Sequence, residues 1–296
     1  PDGYLAYVNS LGSSAGRTEE EKEEVYFSSA EQAYLAGDYA GAQGTLTSYL
    51  EKYPQAAYAA KAYFYLGECS RESGAREPAM DYYLRAMQEG LEGALGESAL
   101  VGYAKLNYET GRYGKAFGAY EELKETARLE ANRHEALVGL MRSAFRAKEW
   151  ADAIPAAETV LNTFKDASLA REARYVRAKS LLSSSRRSEA FQDFQVLSKE
   201  PSTDEGAEAT YLIIEDLYNR AEFDSIQSRV YKFSEKAGGQ NYWLAKAYIV
   251  LGDSFADQGY LSQARATFES IRDGYTPQGP QDDVMDQVNL RLSKLN

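Results

Sequence analysis

Apolar residues along this chain recur at steps of three and four, interrupted at regular intervals by a Gly or a polar pair. Such spacing lays one apolar stripe along a helix and predicts a series of amphipathic helices joined by tight turns. One column of the pattern runs through Ala42, Ala79, Ala116, Ala153, Ala190, Ile226 and Ala264, at intervals of 37, 37, 37, 37, 36 and 38. A fixed period in this range means stacked structural units. Within each unit a first helix ends at a turn such as Ser73-Gly74 or Gly259, and a second helix returns antiparallel. A lone hairpin cannot bury its own stripe, so the units are expected to stack on their neighbours.

The residues around each anchor repeat as well. Tyr63, Leu66 and Gly67 precede the Ser73-Gly74 turn, and Ala79 and Tyr83 follow it. Tyr248, Leu251, Gly252 and Phe255 precede Gly259, and Ala264 and Phe268 follow. The first unit lacks the Leu-Gly pair but keeps a turn at Gly37 to Tyr39, then Ala42, Leu46 and Pro54. Spacing and residue type together resemble the tetratricopeptide pattern over about residues 23–279, with a period longer than its usual ~34. The resemblance implies an all-α, right-handed superhelical α-α solenoid of about seven hairpins, starting near residues 23, 60, 97, 134, 171, 207 and 245. An N-terminal segment over 1–22 and a C-terminal capping helix over 280–296 would flank it.

Local signals refine this outline. Small residues at Ala30, Gly67, Ala104, Ala178 and Gly252 are placed for close helix approach. Thr18 followed by Glu21 reads as a capping box at the start of the first hairpin. Tyr4, Leu5, Val8 and Leu11 have helical spacing ahead of it. Asp282 or Asp283 is placed to start the last helix, in which Val284, Val288 and Leu292 form a stripe that covers the seventh hairpin. Pro78 falls in a first helical turn, where its missing donor is harmless. Pro155 lies deeper and predicts a distortion near Ala151.

Composition then removes function classes. A net charge of −12 over 296 residues argues against nucleic acid, whose binders draw most of their affinity from phosphate attraction. One His and one Cys leave no transition-metal ligand set, and no cofactor is expected. No apolar run approaches the roughly 20 residues that span a bilayer, so no membrane insertion by this segment is expected. The start at Pro1 leaves room for a processed leader.

Catalytic candidates fail on context. Cys69 lies two residues beyond Gly67 with no His or Asp at catalytic spacing, which reads as packing. The run "GYAKLNYETGRYGKAFGAY" is Gly-rich, but Gly111 is a hairpin turn and no strand precedes it, so it is not a phosphate loop. The many carboxylates are spread over every unit rather than gathered in a pocket, and His134 reads as a surface or capping residue. A non-enzymatic chain is expected. Arg174 and Arg177 stand where other units carry Tyr or Leu, and they predict ion pairs with Glu158 or Glu189.

The resemblance implies a different kind of site, a groove lined by the first helices at positions 2, 5, 9, 12 and 13 of each unit. Position 5 supplies Phe27, Phe64, Tyr175 and Tyr211, and position 12 supplies Tyr34, Tyr108, Phe145 and Tyr218, an aromatic set suited to recognition. Position 9 reads Glu31, Glu68, Lys105, Arg142, Lys179, Glu215 and Asp253, acidic at the ends and basic in the middle, with Arg146 beside it. One expectation is that Lys105, Arg142 and Lys179 receive an acidic segment or C-terminal carboxylate of a protein partner, gripped by Tyr108, Phe145 and Tyr175. The other is that these cations are a solvated face or pair with Glu109, Glu172 and neighbouring carboxylates. Three exposed ion pairs at about 0–1 kcal/mol each cannot supply the ~8 kcal/mol of a micromolar complex, so apolar contact would have to dominate. A neutral glycan stacked on the groove tyrosines is the alternative ligand. The Lys/Asn clamp that some tetratricopeptide domains close on chaperone tails is not expected, because Phe27 and Glu31 occupy its positions. The stretch "LEKYPQAAYAAKAYFYLGE" is similar in style to bacterial cell-envelope tetratricopeptide proteins of the outer-membrane assembly lipoprotein and Tol–Pal-associated types. That likeness implies a periplasmic or outer-membrane-associated scaffold, with the cytoplasm as the alternative location.

Overall fold

The computed structural model describes residues 2, 3, 6 and 18–295. The stripe of Tyr4, Leu5, Val8 and Leu11 lies outside the described residues. Thr18 starts the first helix as its sequence predicts: the Glu21 amide donates to the Thr18 hydroxyl, and the Thr18 amide donates to the Glu21 carboxylate at 2.9 Å. Among the described residues there are fifteen α-helices and no strand. They form two compact units, Pro1–Glu149 and Trp150–Asn296.

The first unit contains α1 (Glu19–Leu35), α2 (Tyr39–Lys52), α3 (Ala59–Glu72), α4 (Arg76–Gln88), α5 (Gly93–Glu109), α6 (Tyr113–Thr126) and α7 (Glu130–Ala147). The second contains α8 (Trp150–Thr163), α9 (Ala167–Ser183), α10 (Arg187–Leu197), α11 (Asp204–Asn219), a 3-10 turn at Phe223–Ser225, α12 (Ile226–Lys236), α13 (Asn241–Asp257), α14 (Leu261–Gly274) and α15 (Val284–Lys294). In both units consecutive helices pack antiparallel and each hairpin stacks on the next, which is the solenoid that the period implies.

The turns repeat in the same register as the anchors. Gly37, Gly74, Gly111, Lys148, Ser185, Ala221 and Gly259 each have a positive φ, between 56° and 82°. Each lies five residues before its anchor. After each one the chain closes a Schellman motif, in which an amide donates back five residues, as from Asp38 to Ala33, Arg186 to Leu181 and Tyr260 to Phe255. Four of the seven positions are Gly, which takes this conformation freely, and three are not.

Aromatic rings fill the space that small residues leave. The Tyr83 ring lies between Gly67 of its own hairpin and Gly102 of the next, and a Cβ on either glycine would approach it to 2.7 Å. Tyr120 meets Gly139 and Phe268 meets Gly252 in the same way, at 2.5 Å. All five predicted small residues are buried. In the first unit Tyr26, Phe27, Leu46, Tyr49, Tyr65 and Tyr83 belong to one continuous core cluster.

In the first, third and fifth repeats the side chain at position 1 holds successive hairpins together. Glu23 accepts from the Tyr49 hydroxyl and the Ala57 amide, both at 2.6 Å. Glu97 accepts from the Arg128 amide and the Asn132 side chain, both at 2.8 Å. Arg171 pairs with Glu200 at 3.1 Å and Glu205 at 3.3 Å.

At the C-terminal end α15 buries Val284, Val288 and Leu292 against the seventh hairpin. Asp282 accepts from the Val284 amide at 3.0 Å, and Arg291 is bidentate on Asp253.

α8 runs as one helix from Trp150 to Thr163 with Pro155 inside it. Pro155 lies in the second turn, where it removes a single donor and its own carbonyl still accepts from the Thr159 hydroxyl at 2.9 Å. Arg177 pairs with Glu158 at 3.7 Å as expected, but the shorter contacts of Arg174 and Arg177 are to Asp193, which the sequence did not single out, and not to Glu189. Asp193 lies on the facing side of α10 and is 2 % exposed, so it is the carboxylate that needs both guanidinium groups. Its hydrogen bond to Arg177 is the first cause that pushes that guanidinium further above its ordinary pKa.

Candidate interaction surface

The first helices present the faces that the repeat count picks out, and in the first unit they enclose a cleft. Between α3 and α5 a space of about 470 Å3 is lined by Glu68, Arg71, Ser98, Val101, Lys105 and Glu109. These are positions 9 and 12 of the second repeat and positions 2, 5, 9 and 13 of the third. Asn132 from α7 closes one end and Arg76 another. The cleft therefore mixes cations and carboxylates around an apolar wall at Val101.

The central cations are not an unopposed basic stripe. Lys105 pairs with Glu135 at 3.3 Å, both side chains being well exposed, and such a pair contributes about 0–1 kcal/mol. Lys179 lies 2.6 Å from Glu208, which also accepts from the Tyr175 hydroxyl at 2.7 Å. Burial and the Glu208 charge push the Tyr175 phenol well above its ordinary pKa, so it is a permanent donor there. Arg142 and Arg146 are exposed on α7, and Arg146 lies 5.9 Å over the Tyr113 ring. In both Lys pairs position 9 of one repeat meets position 2 of the next. A Glu at position 2 following a Lys at position 9 is the sequence signal that would have found these partners.

The aromatic set divides. Phe27 and Phe64 are core residues, 3 % and 5 % exposed, and do not line a groove. Phe27 is covered by Tyr58 from the next hairpin, stacked at 4.8 Å, so a bulky ring in the adjacent unit closes the position-5 face. Tyr34 packs on Tyr65 at 4.8 Å, and Tyr108 meets Tyr113 edge-on at 5.4 Å; both remain half-exposed, as does Phe145. Tyr211 donates to Glu215 at 2.5 Å and packs on Trp243, and Tyr218 donates to Asp257 at 2.7 Å. The hydroxyls of Tyr175, Tyr211 and Tyr218 are thus committed to carboxylates of the chain itself.

The acidic ends of position 9 are structural too. Glu31 accepts from the Tyr65 hydroxyl at 2.8 Å, and Glu68 accepts from Tyr83 and Arg71. Cys69 is 1 % exposed, and burial pushes its thiol up to about 11, the state of an inert packing residue. His134 lies on α7 with Glu130 3.6 Å from its Nε2. Among the described residues no group of three or more His, Cys, Asp or Glu is placed to hold a metal ion, and no helix is long and apolar enough to cross a membrane.

Residues 24–56 and 138–204 match two tetratricopeptide-repeat family profiles. No curated protein matches the chain. Among solved structures, it is similar to a tetratricopeptide repeat protein from Parabacteroides merdae, at 17 % identity over 92 % of this chain and 99 % of that one, with a TM-score of 0.46. It is similar to the TPR2AB domain of yeast Sti1 in complex with pHSP90 at 14 % identity, over 93 % and 99 % of the two chains, with a TM-score of 0.39. The structure of Naa15/Naa10 bound to HypK-THB matches at 12 % identity over 93 % of this chain, with a TM-score of 0.52, and this chain spans 39 % of that one. At such identities a likeness speaks for the fold alone, and of the three only the last is close enough to do so. The two matched stretches are thus tetratricopeptide repeats, and the left-handed turn that recurs through both units is what a solenoid of such repeats requires.

Proposed function

We propose that this chain is a non-catalytic protein-interaction scaffold that takes a segment of a partner polypeptide along its first-helix face, within a bacterial envelope complex. The observation that carries the reading is the cleft between α3 and α5, whose lining falls on the repeat positions that point inward. Its chemistry suits an extended segment with a small apolar side chain against Val101 and carboxylates that exchange with Glu135 for Lys105. Because each such exchange replaces one ion pair with another, the apolar contact and backbone hydrogen bonds supply most of the affinity. The envelope setting rests on the likeness in style of the repeat sequences. The glycan reading has less support, since Phe27 and Phe64 are core residues and three groove tyrosines already bind carboxylates.

The test is capture from native envelope extract on immobilised wild type and on a Val101→Glu, Lys105→Glu variant, with circular dichroism to confirm that both are folded. A partner retained by the wild type is expected to fall about tenfold or more on the variant. Equal retention of every captured protein on both would remove the cleft as the site.

A further inference from the structure

The second-helix side of the second unit carries another kind of surface. α12 turns Ile226, Val230 and Phe233 into the core, which leaves Arg229, Lys232 and Lys236 exposed at steps of three and four. Lys199, from the connection after α10, reaches the same place. The four cations line a cleft of about 380 Å3 together with Ile213, Phe233 and Pro201. No carboxylate lines it, and among the described residues none of the four has a carboxylate within the 4.0 Å of an ion pair. Lys236 is in the last turn of α12 and Lys199 follows the C-cap of α10, where a helix end favours a cation, but Arg229 and Lys232 have no such compensation. In a chain of net charge −12, whose other clustered cations mostly face carboxylates, this is a local concentration of unopposed positive charge. Like charges gathered in one concavity repel and focus the field on an incoming anion.

We propose that this cleft binds a compact polyanion carrying two linked phosphate groups. Each phosphate group brings about 1.5–2 negative charges near neutral pH, so two of them balance four cations. Arg229 supplies a planar fork for one phosphate, and the three lysines act as point charges around both. The Ser198 and Thr210 hydroxyls in the lining already donate to the Gln195 and Gly206 carbonyls, so recognition rests on the cations. Phe233 is 2 % exposed and offers no open ring face, so nothing here stacks a nucleobase. A concavity with a buried apolar floor admits a discrete group rather than a flat bilayer. The diphosphate is either free or carried as the headgroup of a larger ligand. This site lies apart from the first-helix cleft and does not depend on what binds there.

Calorimetric titration of the whole chain at low ionic strength with pyrophosphate, and separately with inorganic phosphate, tests the proposal. Pyrophosphate is expected to bind more tightly than phosphate. A variant with Lys199→Gln, Arg229→Gln, Lys232→Gln and Lys236→Gln is expected to lose about tenfold or more in affinity. A control with Lys115→Gln, Lys148→Gln, Lys165→Gln and Lys294→Gln removes the same charge elsewhere and is expected to stay within about twofold of wild type. Single Arg229→Gln and Lys232→Gln variants, each expected to weaken binding about threefold, carry the test if the fourfold cleft variant does not fold. Phosphatidylcholine vesicles containing a bisphosphorylated inositol lipid distinguish the sources: pyrophosphate alone points to a free ligand, pyrophosphate and vesicles together to a headgroup. No binding of pyrophosphate, equal affinity for phosphate, or equal loss in the control would each overturn the proposal, as would binding to vesicles without pyrophosphate.

Discussion

Ala221 holds a positive φ of 56° because the repeat requires a left-handed residue there, not because Ala prefers it. Lys148 and Ser185 are in the same position, and an L-residue in that conformation is disfavoured by roughly 1–2 kcal/mol. Replacing Ala221 with Gly removes the clash and loosens the unfolded chain, so a net gain of roughly 0.5–1 kcal/mol is expected. Equilibrium urea denaturation checks it, and an unchanged or lower midpoint would contradict the account. The column of Ala and Ile anchors was legible in the sequence, and so was the turn at Gly37, Gly74, Gly111 and Gly259. The same turn at Ala221 was not, because the residue type there carries no trace of the backbone it is forced to adopt. Asp193 shows the same limit in the core: periodicity marked Arg174 and Arg177 as unusual, but which carboxylate they share depended on helix approach.

At the level of the helix, capping is divided between local and borrowed groups. Thr18 and Glu21 cap α1 from within its own first turn, and the pair is readable as a motif. The N-cap of α7, Leu129, offers no side-chain cap, and Glu97 from α5 instead fixes the approach to the helix by accepting from the Arg128 and Leu129 amides. The Arg128 amide is the first cause that holds Glu97 below its ordinary value of 4.5, followed by the Asn132 side chain. A carboxylate with a depressed folded pKa stabilises fully above its unfolded value, and the stabilisation is lost as pH falls through the folded value. Glu97→Gln is therefore expected to lower stability by about 1 kcal/mol at pH 7, with the difference from wild type shrinking towards pH 3. Paired urea titrations at the two pH values measure this, and a difference that does not change with pH would refute it. The acceptor, Glu97, was invisible in the sequence because it lies about 30 residues before the amides it binds. The groove had the same weakness: counting placed Lys105 and Lys179 correctly on first helices, yet their partners Glu135 and Glu208 come from the next hairpin.

A solenoid transmits stability through nearest neighbours, so damage at one end stays near that end. α15 seals the last hairpin by burying Val284, Val288 and Leu292, and it is tied there by Arg291 on Asp253 and by Asp283 on Lys246. Val288→Asp places a charge in that seam. Hydrogen exchange is expected to rise by about tenfold or more in α13 and α14 and by less than about twofold in α9 and α10. Uniform acceleration over the whole second unit would show that it opens as one cooperative block instead.

The sequence by itself determined the helices, their pairing into hairpins and the order in which the hairpins stack, since all three follow from a periodic apolar pattern and from contacts between chain neighbours. It also holds no apolar run of the length that spans a bilayer, and among the described residues no helix is long and apolar enough to cross a membrane. The tertiary structure decided which groups meet across hairpins: that Phe27 and Phe64 are core, that Glu208 neutralises Lys179, and that four cations around α12 face no carboxylate among the described residues. Those outcomes depend on rotation and approach differing by a few ångströms between neighbouring hairpins. A repeat period specifies that neighbours touch, but it does not encode that distance.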